Sequence, residues 1–240
     1  MNGAASSRST TIVVKLTYSV LIEDRTKKLL LDIYRRLEAA YGDPGWWPGD
    51  TPFEVAVGAV LTQNTSWRNV EKAIERLKKA GLLSPEALRE LTVEELAGYI
   101  VSAGYYNVKA RRLKSLIDFL WAECGGRVEA LADMPLRETR ERLLSVKGIG
   151  PETADSILLY AACVPTFVVD AYTQRVLSRH GLMSEDAGYD EIKAVFEDNL
   201  EPDATTFNRF HALLVKCGHL HCKPKPDCNG CPLEGLLTAR

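Results

Sequence analysis

No run of eighteen consecutive apolar residues occurs in this 240-residue chain, so no segment reads as a membrane-spanning helix. An apolar secretory segment is missing too, because Met1 to Lys15 is polar apart from Ile12 to Val14. A cytoplasmic protein without a membrane partner is expected. Strand-length alternation of apolar and polar residues is also lacking. Thr10 to Lys15 is the only stretch rich in β-branched residues, and no sheet is expected. Finally, basic excess is absent: 30 Lys and Arg against 32 Asp and Glu leave a formal charge of -2. Any contact with nucleic acid must therefore be a local patch.

What the chain does have is enough apolar residue, 46%, to bury a substantial core in one large or two small domains without disulfides. Helical periodicity dominates. Leu29, Ile33, Leu37 and Ala40 place an apolar stripe on a helix from about Asp24 to Tyr41. Ser84 before Pro85 reads as an N-cap, Thr92 with Glu95 as a capping box, and the stripe Leu113, Leu116, Ile117, Leu120 stops at Gly125 and Gly126. The expected fold class is all-α, and the Pro- and Gly-rich stretch from Gly42 to Pro52 is the candidate domain boundary. Of the six cysteines, Cys124 and Cys163 lie in helical patterns, whereas Cys217, Cys222, Cys228 and Cys231 crowd the last 24 residues. In a reducing compartment such a cluster reads as a metal site before it reads as disulfides.

Val146-Lys147-Gly148-Ile149-Gly150 separates two helical patterns, Leu136 to Ser145 and Pro151 to Ala162. Two glycines one residue apart permit a tight turn with exposed N–H groups, and the helix that follows presents its positive end, so the turn can hold a phosphate. The same pattern also serves as an ordinary turn. Eighteen residues after Glu152 comes Asp170, ending an apolar run and opening a new helical pattern. It suits a helix N-cap, and an acid there can have a chemical role as well.

The hairpin, together with Thr153-Ala154 and Val169-Asp170, resembles the HhH-GPD superfamily represented by endonuclease III, from about Tyr41 to Cys231. The resemblance implies a DNA repair glycosylase with a helix-hairpin-helix fold: a six-helix barrel over 51–164, and a second helical domain from 1–50 and 165–240. It further implies that Lys147, Gly148, Ile149 and Gly150 grip the DNA backbone, that Asp170 is the catalytic acid, and that a monomer acts on double-stranded DNA containing damaged bases. The chemistry accords with an acid at this place. Breaking an N-glycosidic bond builds oxocarbenium-like charge on the sugar, and a carboxylate stabilises that charge or orients the attacking water.

Bifunctional members of the family carry a lysine two residues after the second hairpin glycine, which attacks the sugar as a Schiff-base nucleophile. Here that position is Glu152. A carboxylate cannot form an imine, so strand cleavage is expected to be absent or very weak. Gly45-Trp46-Trp47-Pro48, the segment Leu61 to Trp67, and Gly150-Pro151-Glu152-Thr153-Ala154-Asp155 are similar to the type III 3-methyladenine DNA glycosylase branch. That similarity implies that Trp46, Trp47 and Trp67 surround a flipped base, that Glu152 faces the pocket, and that Gln63 fills the gap left in the duplex. Taken alone, the tryptophans also suit a core, Gln63 a helix end, and Glu152 a favourable first helical turn. Lys109, Arg111, Arg112 and Lys114 could touch phosphates or simply form a solvated face.

Cys222-x5-Cys228-x2-Cys231 resembles the C-terminal [4Fe-4S] loop of the superfamily, but the family's last cysteine is replaced by Leu237. Cys217 is the spare thiol nearby. A zinc knuckle using His219 or His221, or no metal, stays open. Two rival functions stay open as well: an endonuclease III-type glycosylase and lyase on oxidised pyrimidines, and a non-catalytic DNA-binding module.

Overall fold

The computed structural model describes residues 25–236, and all its regular elements are helical. Asp24, the β-branched stretch Thr10 to Lys15 and Leu237 lie outside the described residues. Contacts divide the chain into two compact units. A central unit comprises Gly45–Val168 and Asp203–Ala212, and a terminal unit the described parts of Met1–Pro44, Val169–Pro202 and Leu213–Arg240.

The central unit is organised on α2 (Pro52–Leu61), which is buried on all sides from Phe53 to Leu61 and carries Glu54 as its one charged residue. Such a helix needs partners around its whole circumference. It has them in α3 (Trp67–Lys79), α6 (Tyr106–Cys124) and α8 (Pro151–Ser156). Thr51 starts α2 by accepting from the Glu54 N–H at 3.1 Å, with Pro52 in the first turn. In α3 the buried Val70, Ala73, Ile74 and Leu77 share one face. Between α3 and α6 come α4 (Pro85–Glu90) and α5 (Val93–Tyr99), capped as their sequences predict. Ser84 accepts from the Ala87 N–H, and Thr92 and Glu95 exchange both bonds of a capping box. The stripe on α6 is buried, and Gly125 ends the helix at φ 60°, which glycine adopts without strain. α7 spans Leu136–Ser145, and α8 runs on into one π-helical turn, Ile157–Ala161.

In the terminal unit, helix α1 covers 25–41 of the described residues. Its buried line is Leu30, Ile33 and Leu37, with Ala40 exposed and Leu29 half-buried. The stripe read from sequence was thus turned slightly: Leu30, three residues before Ile33, supplies the contact assigned to Leu29, and the face does not extend to Ala40. The unit also contains α9 (Ala171–Arg179), α10 (Tyr189–Glu197) and the end of α11 (Ala204–Leu220). α9 and α11 pack closely, because a Cβ on Gly218 would stand 2.7 Å from Tyr172 Cγ.

Candidate functional site

The hairpin joins α7 to α8 through a turn closed by the Ile149 N–H donating to Val146 O at 3.0 Å. Gly148 sits at φ 91°, a conformation that strains any side chain larger than hydrogen. Of the residues expected at the DNA backbone, Lys147 and Gly148 are exposed and Gly150 is half-buried. Ile149 is buried and its amide is spent inside the turn, so it holds the hairpin's shape. Behind the turn Arg140 of α7 grips Asp155 of α8 through Nε at 2.9 Å and Nη2 at 3.1 Å, and the Thr166 hydroxyl also donates to this fully buried carboxylate. A buried acid without its arginine would be strongly destabilising, so this pair clamps the two hairpin helices together.

Gln63 lies against the hairpin. Its Nε2 donates to Gly148 O at 3.1 Å and Thr153 Oγ1 at 2.9 Å, while its Oε1 accepts from Arg112 Nη1. Lys109 and Lys114, read from sequence as phosphate contacts or a solvated face, do neither. Lys109 is buried and donates to Leu61 O at 2.8 Å and Ala103 O at 2.7 Å; Lys114 donates to the carbonyls of Leu88, Arg89 and Leu91. Both amines satisfy carbonyls left open at helix ends. Lys109 thus ties the start of α6 to the end of α2, and Tyr105 immediately precedes α6 as its N-cap residue. That tyrosine is 73% exposed, at φ 45°.

Trp46, Trp47 and Trp67 come together as a half-exposed cluster. The Trp47 ring centre stands 5.4 Å from Trp46 and 5.3 Å from Trp67, edge to face in both cases. Its neighbour on another side is Tyr160, at 5.2 Å and 32°. Gly58 of α2 makes the room, since a Cβ there would approach Trp47 Nε1 to 3.2 Å. Trp67 is oriented by its Nε1 donating to Glu71 at 2.8 Å, and the loop after Trp47 is tied down by buried Glu54, which accepts from the Asp50 N–H and pairs with Lys78. Tyr160 and its partner His211, 2.6 Å from hydroxyl to Nδ1, were not singled out from sequence. The available signal was a lone tyrosine in the apolar run after Glu152, whose hydroxyl needs a partner when buried. Among the described residues the indole N–H groups of Trp46 and Trp47 are buried without hydrogen-bond partners. Glu152 is exposed in the first turn of α8.

In the terminal unit, Asp170 is the N-cap of α9, with Oδ1 accepting from the Tyr172 N–H at 3.0 Å and the Thr173 N–H at 2.8 Å. One turn and two turns further along, Arg175 and Arg179 hold the cysteine loop. Arg175 donates to Cys222 O at 2.9 Å, and Arg179 to Cys222 Sγ at 3.1 Å and Lys223 O at 2.7 Å. Cys217, Cys222, Cys228 and Cys231 all line one cavity of about 470 Å³. Cys217 and Cys231 face each other at 3.9 Å, and burial, then Cys231, push the Cys217 thiol up. Among the described residues no three His, Cys, Asp or Glu side chains converge tightly enough for a single ion. The four thiols that line this cavity supply the donor count that a four-thiolate cluster requires. His221 borders the cavity and His219 is exposed.

The sequence pattern of the HhH-GPD superfamily of base excision DNA repair proteins matches residues 57–202. The chain belongs to this superfamily. As an HhH-GPD protein it is a DNA repair glycosylase in coarse function. A protein of Methanocaldococcus jannaschii provisionally named a DNA repair glycosylase is 45% identical over 214 residues, 89% of this chain and 97% of that one. Among solved structures, H. pylori 3-methyladenine DNA glycosylase bound to 1,N6-ethenoadenine is similar, with TM-score 0.67 and 29% identity, covering 81% of this chain and 97% of that chain. Endonuclease III trapped as a covalent intermediate with DNA gives TM-score 0.73 and 26% identity, covering 86% and 93%. No helix among the described residues is long and apolar enough to cross a membrane.

Proposed function

We propose that this glycosylase hydrolyses the N-glycosidic bond of alkylated bases such as 3-methyladenine in double-stranded DNA and leaves the strand uncut. The carrying observation is the half-exposed cluster of Trp46, Trp47 and Trp67 backed by Tyr160. Flat electron-rich faces favour a cationic methylated purine, and the two unspent indole donors suit a ligand that carries acceptors. An oxidised, non-planar pyrimidine would gain less from such rings. The H. pylori relative, solved with a modified adenine, supports the same choice.

Asp170 takes the catalytic role, stabilising positive charge on the sugar or orienting water. Glu152 stands where a Schiff-base lysine would be needed for strand cleavage, and it offers negative charge instead of an amine. Lys147, Gly148 and Gly150 contact the backbone, and Tyr105 presents an exposed ring for stacking. Cys217, Cys222, Cys228 and Cys231 would hold a four-iron cluster, which when bound would serve as a structural cross-link. Arg175 and Arg179 fix the loop that supplies three of those thiols.

The test is excision from matched duplexes carrying 3-methyladenine or thymine glycol, scored as abasic sites revealed by alkali, with borohydride added in parallel. Release of 3-methyladenine should exceed release of thymine glycol, and no covalent adduct should be trapped. Efficient removal of thymine glycol alone would move the protein to the oxidised-base activity; a good yield of adduct would show that another residue supplies the amine. No excision of any lesion would leave a DNA-binding role.

A further inference from the structure

The cations around the hairpin are mostly committed. Lys109 and Lys114 hold carbonyls, and Arg140 holds Asp155. Arg112 is different. Its side chain lies over the tip of the turn, where a Cβ on Gly148 would stand 2.8 Å from its Cδ and 2.9 Å from its Nε. Its Nη1 donates to Gln63 Oε1, and Gln63 is itself braced on Gly148 O and Thr153 Oγ1. All polar atoms of that amide are thereby used, so it holds the guanidinium in one place. Yet an amide is neutral and leaves the arginine's charge intact. Among the described residues no carboxylate lies within ion-pair distance of Arg112, and its remaining N–H groups have no hydrogen-bond partner. Neighbouring Lys147 is exposed and also lacks an ion-pair partner among them.

We propose that Arg112 is a phosphate-binding residue of the hairpin, oriented by Gln63 and acting with Lys147 on the DNA backbone. A guanidinium fork matches two phosphate oxygens, and a half-buried cation with unspent donors gains most when an anion supplies them. The contact reads no sequence, so it strengthens binding to damaged and undamaged duplex alike. This inference rests on the reading of the hairpin as the backbone grip.

Binding of the full chain to a fluorescent undamaged duplex, followed by anisotropy across salt concentrations, tests it. Arg112→Gln should weaken binding and lower the slope of log affinity against log salt by about 0.9, the value for one lost phosphate contact on duplex DNA. The wild-type advantage should then shrink about 3.5-fold between roughly 50 and 200 mM salt. Arg112→Lys should restore the slope by keeping the charge. Arg137→Gln, which removes the same charge from the far end of α7, should leave it unaltered. An unchanged slope in Arg112→Gln, or an equal drop in Arg137→Gln, overturns the proposal. If Lys147→Gln lowers the slope and Arg112→Gln does not, Arg112 alone is excluded. If neither does, the hairpin reading falls with it.

Discussion

Asp170 caps α9, and in the proposed reaction the same carboxylate would also act on the sugar. Its Oδ1 receives two N–H bonds at the start of α9, and asparagine caps a helix about as well as aspartate. Asp170→Asn should therefore melt close to the wild-type temperature while losing roughly 100-fold or more in single-turnover excision, a common cost of removing a key charged group. Asp170→Ala should lose activity and also about 0.5–2 kcal/mol of stability. Thermal melts beside excision rates separate the two roles, and near-normal turnover in the asparagine variant would remove Asp170 from the chemistry. The capping role was legible in the sequence because both donors lie within three residues. The Tyr160 and His211 pair was not, because the partners lie 51 residues apart and no local pattern joins them. Gln63 shows the same limit: a polar residue past the end of α2 is visible, but its bonds to residues 85 and 90 positions later are not.

Helices whose boundaries depend on neighbouring residues were read well. The caps at Ser84 and Thr92 and the extent of α7 follow from short-range chemistry, and the structure agrees. Elements joined by long side chains were not. Lys109 belongs to α6 yet completes the end of α2, 48 residues earlier in the chain, and its place in a basic run gave no sign of this. Lys109→Met should leave two buried carbonyls without their donor and cost about 2–5 kcal/mol, measurable by urea unfolding. Burial, and after it Arg112, hold the Lys109 ammonium below its ordinary 10.5. The unfolded chain then binds more protons than the native one in the alkaline interval between the two values, so native stability from this group rises with pH there. That rise should be missing in Lys109→Met, and an identical pH profile in both proteins would assign the burial penalty elsewhere.

For the whole molecule, a formal charge of -2 accompanies a DNA-directed function because charge is arranged locally. Arg140, Lys78 and Lys193 are paired with Asp155, Glu54 and Glu197, while Lys147 and Arg112 at the hairpin have no carboxylate partner among the described residues. Composition could not show this distribution. Nor could spacing show that the four cysteines meet, because Cys217 comes from a helix and the other three from a loop, and only the folded chain puts all four around one cavity. Protein purified without oxygen should be brown with about four irons per chain, and Cys217→Ala should lose iron as Cys222→Ala does. Full iron retention in Cys217→Ala would exclude that thiol, and colourless protein containing zinc would replace the cluster with a different metal site.

The two amides that bind Asp170 also offer a clock. A backbone N–H exchanges with deuterated water only when its hydrogen bond opens, so the exchange rates of Tyr172 and Thr173 report how often the Asp170 carboxylate leaves its seat. Since α9 is anchored further along by Arg175 and Arg179 on the cysteine loop, loosening that loop should quicken these two amides before global unfolding begins. Damage far from any substrate would then be felt as lost residence time of a single carboxylate.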